Sequence, residues 1–168
     1  MRIYLDHNAT TPVDPAACEA MMRSLQDLFG NASSVHYYGQ QAKAAIDVAR
    51  SAVASLIDAE PSEIVFTSGG TEADNYAIRG VAEALEVTGR KHLITSGIEH
   101  EAVLNTFKAL ARRGWKTTVL PLDTSGIVSP ERLREAMTAE TALVSIMHAN
   151  NEIGTIQPVA ELANIARA

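Results

Sequence analysis

A pair of glycines next to a threonine is the first feature of this sequence that could do chemistry. In segment 64–73 (IVFTSGGTEA), a β-rich run leads through Gly69 and Gly70 to Thr71 and a helix start. Glycines allow a sharp turn and close approach of a ligand, and a helix start offers unpaired N–H groups and a positive dipole end. With the Thr71 hydroxyl, the segment suits a dianionic phosphate. The alternative is a plain strand-to-helix turn with Thr71 as its cap, and the common nucleotide motifs are not matched.

Polar groups also follow two other predicted strands. Segment 92–100 (HLITSGIEH) ends at His100, and segment 145–154 (SIMHANNEIG) contains consecutive amides that include Asn151. Ligands of α/β sheets bind beyond the carboxyl ends of the strands. An imidazole there could stack on a flat ligand or transfer protons, and an amide could hydrogen-bond a ligand oxygen. The alternatives are a surface histidine at a helix start and an Asn-Asn turn, but three such loops together favour one shared site.

Hydrophobic spacing and caps predict the elements that position these loops. Strands are predicted at 64–67, 93–95, 117–120 and 143–147, and helices at 15–29, 40–57, 71–88, 102–112, 130–137 and from 159 onward. Asp14 and Ser129 are expected as helix caps, each before a proline. Strands that alternate with helices predict an α/β fold with a mostly parallel sheet flanked by helices.

Two predictions concern what these helices bury. The apolar residues of helix 40–57 recur at helical spacing and predict a buried face; they are Ala45, Ile46, Ala49, Val53, Leu56 and Ile57. Cys18 lies within the first helix beside Ala17 and Met21, which predicts a small buried hydrophobic residue.

Composition excludes several classes of protein. The chain has 168 residues, 46% of them hydrophobic, with a net charge of −6 and one cysteine. The sequence contains no basic run of the kind that indicates nucleic-acid binding. It contains no apolar run long enough to cross a membrane, and its five histidines lack metal-ligand spacing. We expect a cytoplasmic protein without a signal peptide, metal site or internal disulfide.

Five segments in order resemble the cysteine desulfurases of the class V aminotransferase family. They are 4–12 (YLDHNATTP), 30–36 (GNASSVH), 66–75 (FTSGGTEADN), 99–104 (EHEAVL) and 147–154 (MHANNEIG). The forms of the third and fifth segments are similar to those of the family's housekeeping branch rather than its selenocysteine-lyase-like branch. Ala32 stands where the family commonly has proline, and Gly70 where it commonly has alanine.

The resemblance implies a pyridoxal 5'-phosphate (PLP) enzyme of the aspartate aminotransferase-like fold. It implies that Gly70 and Thr71 hold the cofactor phosphate, that His100 stacks on the ring and assists proton transfer, and that Asn151 donates to the phenolic oxygen. The loop from Asn31 to His36 is implied to border the substrate. The implied reaction takes sulfur from L-cysteine, leaves L-alanine and forms an enzyme persulfide for iron–sulfur cluster and thio-cofactor assembly. The implied partners are a second copy, as a homodimer, and sulfur-acceptor or scaffold proteins.

The resemblance also implies that residues 1–168 form the N-terminal segment and an incomplete large PLP-binding domain. The rest of that domain and the small domain would lie beyond Ala168, with the aspartate that pairs with the ring nitrogen, the Schiff-base lysine and the persulfide cysteine. The four lysines occupy no such context; they are Lys43, Lys91, Lys108 and Lys116. We therefore expect little activity from this chain alone. Two alternatives remain open: another class V aminotransferase or lyase, and a non-catalytic fragment.

Overall fold

The computed structural model describes residues 2–168, which divide into an N-terminal unit ending at Phe66 and a C-terminal unit beginning at Thr67. The N-terminal unit contains helices α1 (Pro15–Asp27) and α2 (Tyr37–Leu56) and a 3₁₀ turn (Pro61–Glu63). The C-terminal unit contains α3 (Gly70–Glu86), β1 (His92–Ser96), α4 (Glu101–Arg112), β2 (Lys116–Leu120), α5 (Pro130–Ala136), β3 (Thr141–Ser145) and α6 (Val159–Arg167).

The C-terminal unit is built on a parallel three-stranded sheet in the order β2-β1-β3. All five residues of β1 are buried, as expected for a central strand covered on both faces. Because successive strand residues point to opposite faces, Leu93 joins one core cluster and Ile94 the other. Buried side chains from helices α3 and α4 pack in the first cluster, and those from α5 and α6 pack in the second. The α/β fold with a parallel sheet is therefore confirmed.

One predicted strand is wrong. Ile64 has extended backbone, with φ −91° and ψ 127°, but residues 64–67 pair with no strand among the described residues. Their β-rich composition favours extended backbone, whereas a strand also needs a neighbour to complete its hydrogen bonds. The other three strands are confirmed, β3 beginning two residues earlier than predicted.

The cap of α1 is confirmed, but the burial predicted for residues of the N-terminal unit is not. Asp14 caps α1 by accepting the Ala16 N–H at 2.8 Å. The predicted buried face of α2 is largely exposed, Leu56 by 83% and Ile57 by 62%, and Cys18 is exposed as well. Helical spacing marks an apolar face but does not show whether that face is covered. Among the described residues, none of the helices combines the length and apolar character needed to span a bilayer.

A buried histidine joins all three strands near the start of β1. The His92 Nδ1 atom lies 2.9 Å from the Thr141 hydroxyl of β3, and Nε2 lies 2.8 Å from the Thr118 hydroxyl of β2. Burial lowers the pKa of His92, the nearby Lys116 lowers this pKa further, and Glu140 opposes both effects. The folded protein therefore favours the neutral ring.

This preference predicts a loss of stability in acid. Because the unfolded chain takes up the proton first, stability should fall as the pH drops below the usual value of 6.5 toward the lowered pKa. His92→Gln, which keeps a donor and an acceptor but does not titrate, should lose less stability than the parent between about pH 7.5 and about pH 5.5. Urea unfolding followed by the fluorescence of the buried Trp115 measures this. Equal losses in the two proteins would contradict the assignment.

Candidate functional site

The start of α3 has no side-chain cap. Its N-cap residue, Gly69, offers no side-chain acceptor to the first-turn N–H groups. Glu72, in that first turn, instead folds back and accepts the Ser68 N–H at 2.6 Å and the Ser68 hydroxyl at 2.8 Å. These hydrogen bonds lower the pKa of Glu72 and keep it ionised. Glu72 thus holds the turn through Ser68, and no side-chain cap occupies the N–H groups of the helix start, which can bind an anion.

The two glycines leave open space at this helix start. A Cβ atom placed on Gly69 or Gly70 would meet no other atom within 4 Å. Gly69 has φ 166° and ψ 177°, which is extended backbone and not a conformation reserved for glycine. The sharp turn expected from the sequence is therefore not the reason for these glycines. Their effect is to leave the backbone accessible to a ligand.

His100 caps α4 with its own ring. The Nδ1 atom accepts the Ala102 N–H at 3.1 Å, so in the neutral ring the proton is carried by Nε2. The alternative interpretation from the sequence was a surface histidine at a helix start, and the structure confirms that His100 is exposed at the start of α4. The capping role does not exclude ligand binding, because the Nε2–H group can still donate a hydrogen bond to a ligand.

Thr71 and His100 line a common hollow of about 340 Å³, which we call the α3–α4 hollow. Asn75 fixes its two helices relative to each other. Its Oδ1 accepts the Thr106 hydroxyl of α4 at 2.8 Å, and its Nδ2 donates to the Thr71 carbonyl at 2.9 Å. Asn75 lies at the end of segment 66–75, but no pattern in the sequence indicates its contact with α4.

His100 and Asn151 line a second hollow of about 400 Å³, which we call the β1–β3 hollow because both residues follow the ends of those strands. His100 lines both hollows, but neither hollow is lined by Thr71, His100 and Asn151 together. The structure thus brings His100 together with Thr71 in one hollow and with Asn151 in the other, and the single shared site stays a prediction. Each hollow has a volume within the roughly 300–1,000 Å³ typical of small-molecule pockets.

Asn31 and His36 lie in the N-terminal unit, where both shape the loop before α2. Asn31 Oδ1 accepts the Ser33 N–H at 2.9 Å, and His36 Nδ1 accepts the Gly39 N–H at 3.4 Å. Gly39 allows the close packing of this loop, since a Cβ there would lie 2.7 Å from the Asn31 carbonyl oxygen. The loop is thus a compact turn with the His36 ring as cap of α2.

Two buried polar residues of the C-terminal unit were missed by the sequence reasoning. Glu99 is 7% exposed and Asn150 is 8% exposed, and each directly precedes a predicted site residue. The available signal was their position in the short loops that follow β1 and β3. In the part of the chain that the structure describes, no cluster of His, Cys, Asp or Glu could hold a metal ion.

The cap at His100 gives a prediction about stability. His100→Ala should cost about 0.5–2 kcal/mol, the usual loss for an N-cap, whereas His100→Asn should retain most of that stability because Asn is a good cap. Chemical denaturation of the parent and the two variants measures this difference. If His100→Asn is as destabilised as His100→Ala, the ring contributes through packing and not as a cap.

Comparisons with known proteins converge on one family. The model of the aminotransferase class-V family matches residues 3–168. The chain is 50% identical over 165 residues to the cysteine desulfurase IscS of Dictyoglomus turgidum, a match that covers 98% of this chain and 42% of that protein. A solved structure named NIFS-like protein is 43% identical with a TM-score of 0.95, covering 99% of this chain and 46% of the other. A structure described as SspA in complex with cysteine is 41% identical with a TM-score of 0.91, covering 98% of this chain and 47% of that one. The chain spans less than half the length of these relatives.

Proposed function

Because this chain belongs to the aminotransferase class-V family, we propose that it provides the PLP-binding part of a cysteine desulfurase. The reaction removes sulfur from L-cysteine and yields L-alanine and an enzyme persulfide. Residues 1–168 would form the N-terminal segment and part of the large domain. Identity of 50% to a cysteine desulfurase supports the activity, and the relative described as a complex with cysteine supports the substrate.

The observation that carries the proposal is the open, uncapped start of α3. We assign the cofactor phosphate to the N–H groups of Gly70 and Thr71 and to the Thr71 hydroxyl. The structure fits this role, because the positive end of the helix is left without a side-chain cap and a Cβ at Gly70 would meet only open space.

His100 and Asn151 are assigned to the pyridine ring of the cofactor. His100 lines both hollows, and its Nε2 is the ring nitrogen available to hold or transfer a proton. The Asn151 amide supplies a donor for the phenolic oxygen at the β1–β3 hollow. When bound, PLP supplies an electron sink for negative charge that develops on the amino-acid substrate.

We assign substrate binding to the loop from Asn31 to His36 and propose homodimerisation and transfer of sulfur to an acceptor or scaffold protein. The compact packing of the loop supports a binding role, because a loop held by its own turn and cap is already ordered before substrate arrives. Neither hollow is lined by a lysine among the described residues. We therefore assign binding of the phosphate and ring to these hollows, and not covalent attachment of the cofactor.

The phosphate role gives a direct prediction. Thr71→Ala should weaken PLP binding by about 1.5–3 kcal/mol, or one to two decades in affinity, through loss of one charge-assisted hydrogen bond. Thr71→Ser keeps the hydroxyl and should bind PLP nearly as tightly as the parent. Absorbance titration of the protein with PLP measures both.

Pyridoxal, which lacks the phosphate, is the matched ligand control. Its affinity should be the same for the parent and for Thr71→Ala. A variant that binds PLP as tightly as the parent would remove Thr71 from the phosphate role. Equal losses for PLP and pyridoxal would show that the substitution disturbs the site in another way.

The activity itself is tested by product analysis on the longest form of the protein that its gene encodes. With PLP, L-cysteine and a thiol reductant, we expect equal amounts of L-alanine and sulfide. Formation of neither product would reject the desulfurase assignment, while transamination products would indicate another activity of the same family.

A further inference from the structure

Glu99 connects the ends of β1 and β3. It follows β1 by three residues and is 7% exposed. Its Oε1 atom accepts the Ser96 hydroxyl at 2.6 Å and the backbone N–H of Met147 at 2.9 Å. One carboxyl oxygen therefore holds the last residue of β1 and a residue just beyond β3. The next residue along the chain is His100.

Asn150 makes a second connection between the same two loops. Its Nδ2 donates to the Ile98 carbonyl at 2.9 Å, across the gap between the strand ends. Its Oδ1 accepts the N–H groups of Glu152 and Ile153 at 2.8 and 2.9 Å, which closes a turn within its own loop. Asn150 is 8% exposed, and the next residue along the chain is Asn151.

We propose that Glu99 and Asn150 are positioning residues that together form a brace between the two loops, holding His100 and Asn151 in register across the β1–β3 hollow for a flat aromatic ligand. That this ligand is the PLP ring rests on the proposed function, whereas the positioning does not.

Burial supports the brace, because buried polar groups are costly unless their partners are in place. Loops at a sheet edge have few apolar contacts to fix them, so hydrogen bonds from buried side chains determine their separation. Each bracing residue is covalently next to a residue assigned to the ring. A shift of the brace is therefore passed directly to His100 and Asn151 through the backbone.

Glu99 contributes to the brace by accepting hydrogen bonds rather than by forming an ion pair. Burial raises the pKa of Glu99, and the nearby Asp74 carboxylate raises it further, while the hydrogen bonds from Ser96 and Met147 oppose that rise. No salt bridge to Glu99 is present among the described residues. A neutral acceptor of the same shape should therefore replace the carboxylate.

Four variants separate the brace from general stability. Glu99→Gln keeps an acceptor oxygen, and Glu99→Met removes it at similar length. Asn150→Asp keeps the acceptor for the turn within its loop but loses the donor to Ile98. The matched control is Thr95→Val, which removes a buried hydrogen bond of 3.0 Å from Thr95 to the Ser145 carbonyl, between the same two strands but within the sheet.

The readout that needs no cofactor is NMR of the whole chain. We expect Glu99→Met and Asn150→Asp to shift the ring-nitrogen signals of His100 and the side-chain amide signals of Asn151. In Glu99→Met, the Met147 N–H should exchange with solvent about tenfold faster, since it loses its acceptor. Glu99→Gln and Thr95→Val should resemble the parent at all three groups. If Glu99→Met does not fold, Asn150→Asp and Glu99→Gln decide.

Titration with PLP is the second readout, and it distinguishes the two proposals. If the parent binds PLP, the brace variants Glu99→Met and Asn150→Asp should bind it about tenfold more weakly, and Glu99→Gln should not. If the parent does not bind PLP, the proposed function fails and the brace is judged by NMR alone. Unchanged His100 and Asn151 signals in the brace variants, or equal shifts in Thr95→Val, would overturn the brace.

Discussion

The parallel pairing of β1 with both of its neighbours is the constraint on which the candidate site depends. Parallel strands end at the same edge of a sheet, so the segments that follow β1 and β3 must lie side by side there. His100 follows the first strand and Asn151 the second, although they are far apart in sequence. The burial of Leu93 and Ile94 on opposite faces anchors β1 and, through it, the edge that carries these residues.

The starts of helices α3 and α4 contribute the other groups of the candidate site. The start of α4 uses a histidine ring as its cap, and the start of α3 has no side-chain cap. At α4, the cap engages His100 Nδ1 and leaves Nε2 for a ligand. At α3, the first-turn backbone N–H groups are left for an anion. Asn75 then holds α3 against α4 through Thr106. The residues that cap α4 and join it to α3, His100, Asn75 and Thr106, therefore also line the α3–α4 hollow.

The sequence allowed correct prediction of features that depend on neighbouring residues, such as helix caps. Asp14 and Ser129 cap helices as expected because a cap depends on residues within one turn, and β1 was found from its apolar composition. What depends on distant partners was not predictable: among the described residues, 64–67 pair with no strand, and the apolar face of α2 is largely exposed.

Glu99 and Asn150 were missed for the same reason, since each has one partner across the sheet edge, the Met147 N–H and the Ile98 carbonyl. The residue types of Thr71, His100 and Asn151 suggested ligand binding, the resemblance specified their roles, and those roles remain predictions.

The position of PLP is best tested by a crystal structure of the protein with this cofactor bound. We expect the phosphate within hydrogen-bond distance of the Gly70 and Thr71 N–H groups, with the ring against His100 and its phenolic oxygen at the Asn151 amide. A phosphate bound away from the α3 start, or a ring that contacts neither His100 nor Asn151, would contradict this expectation.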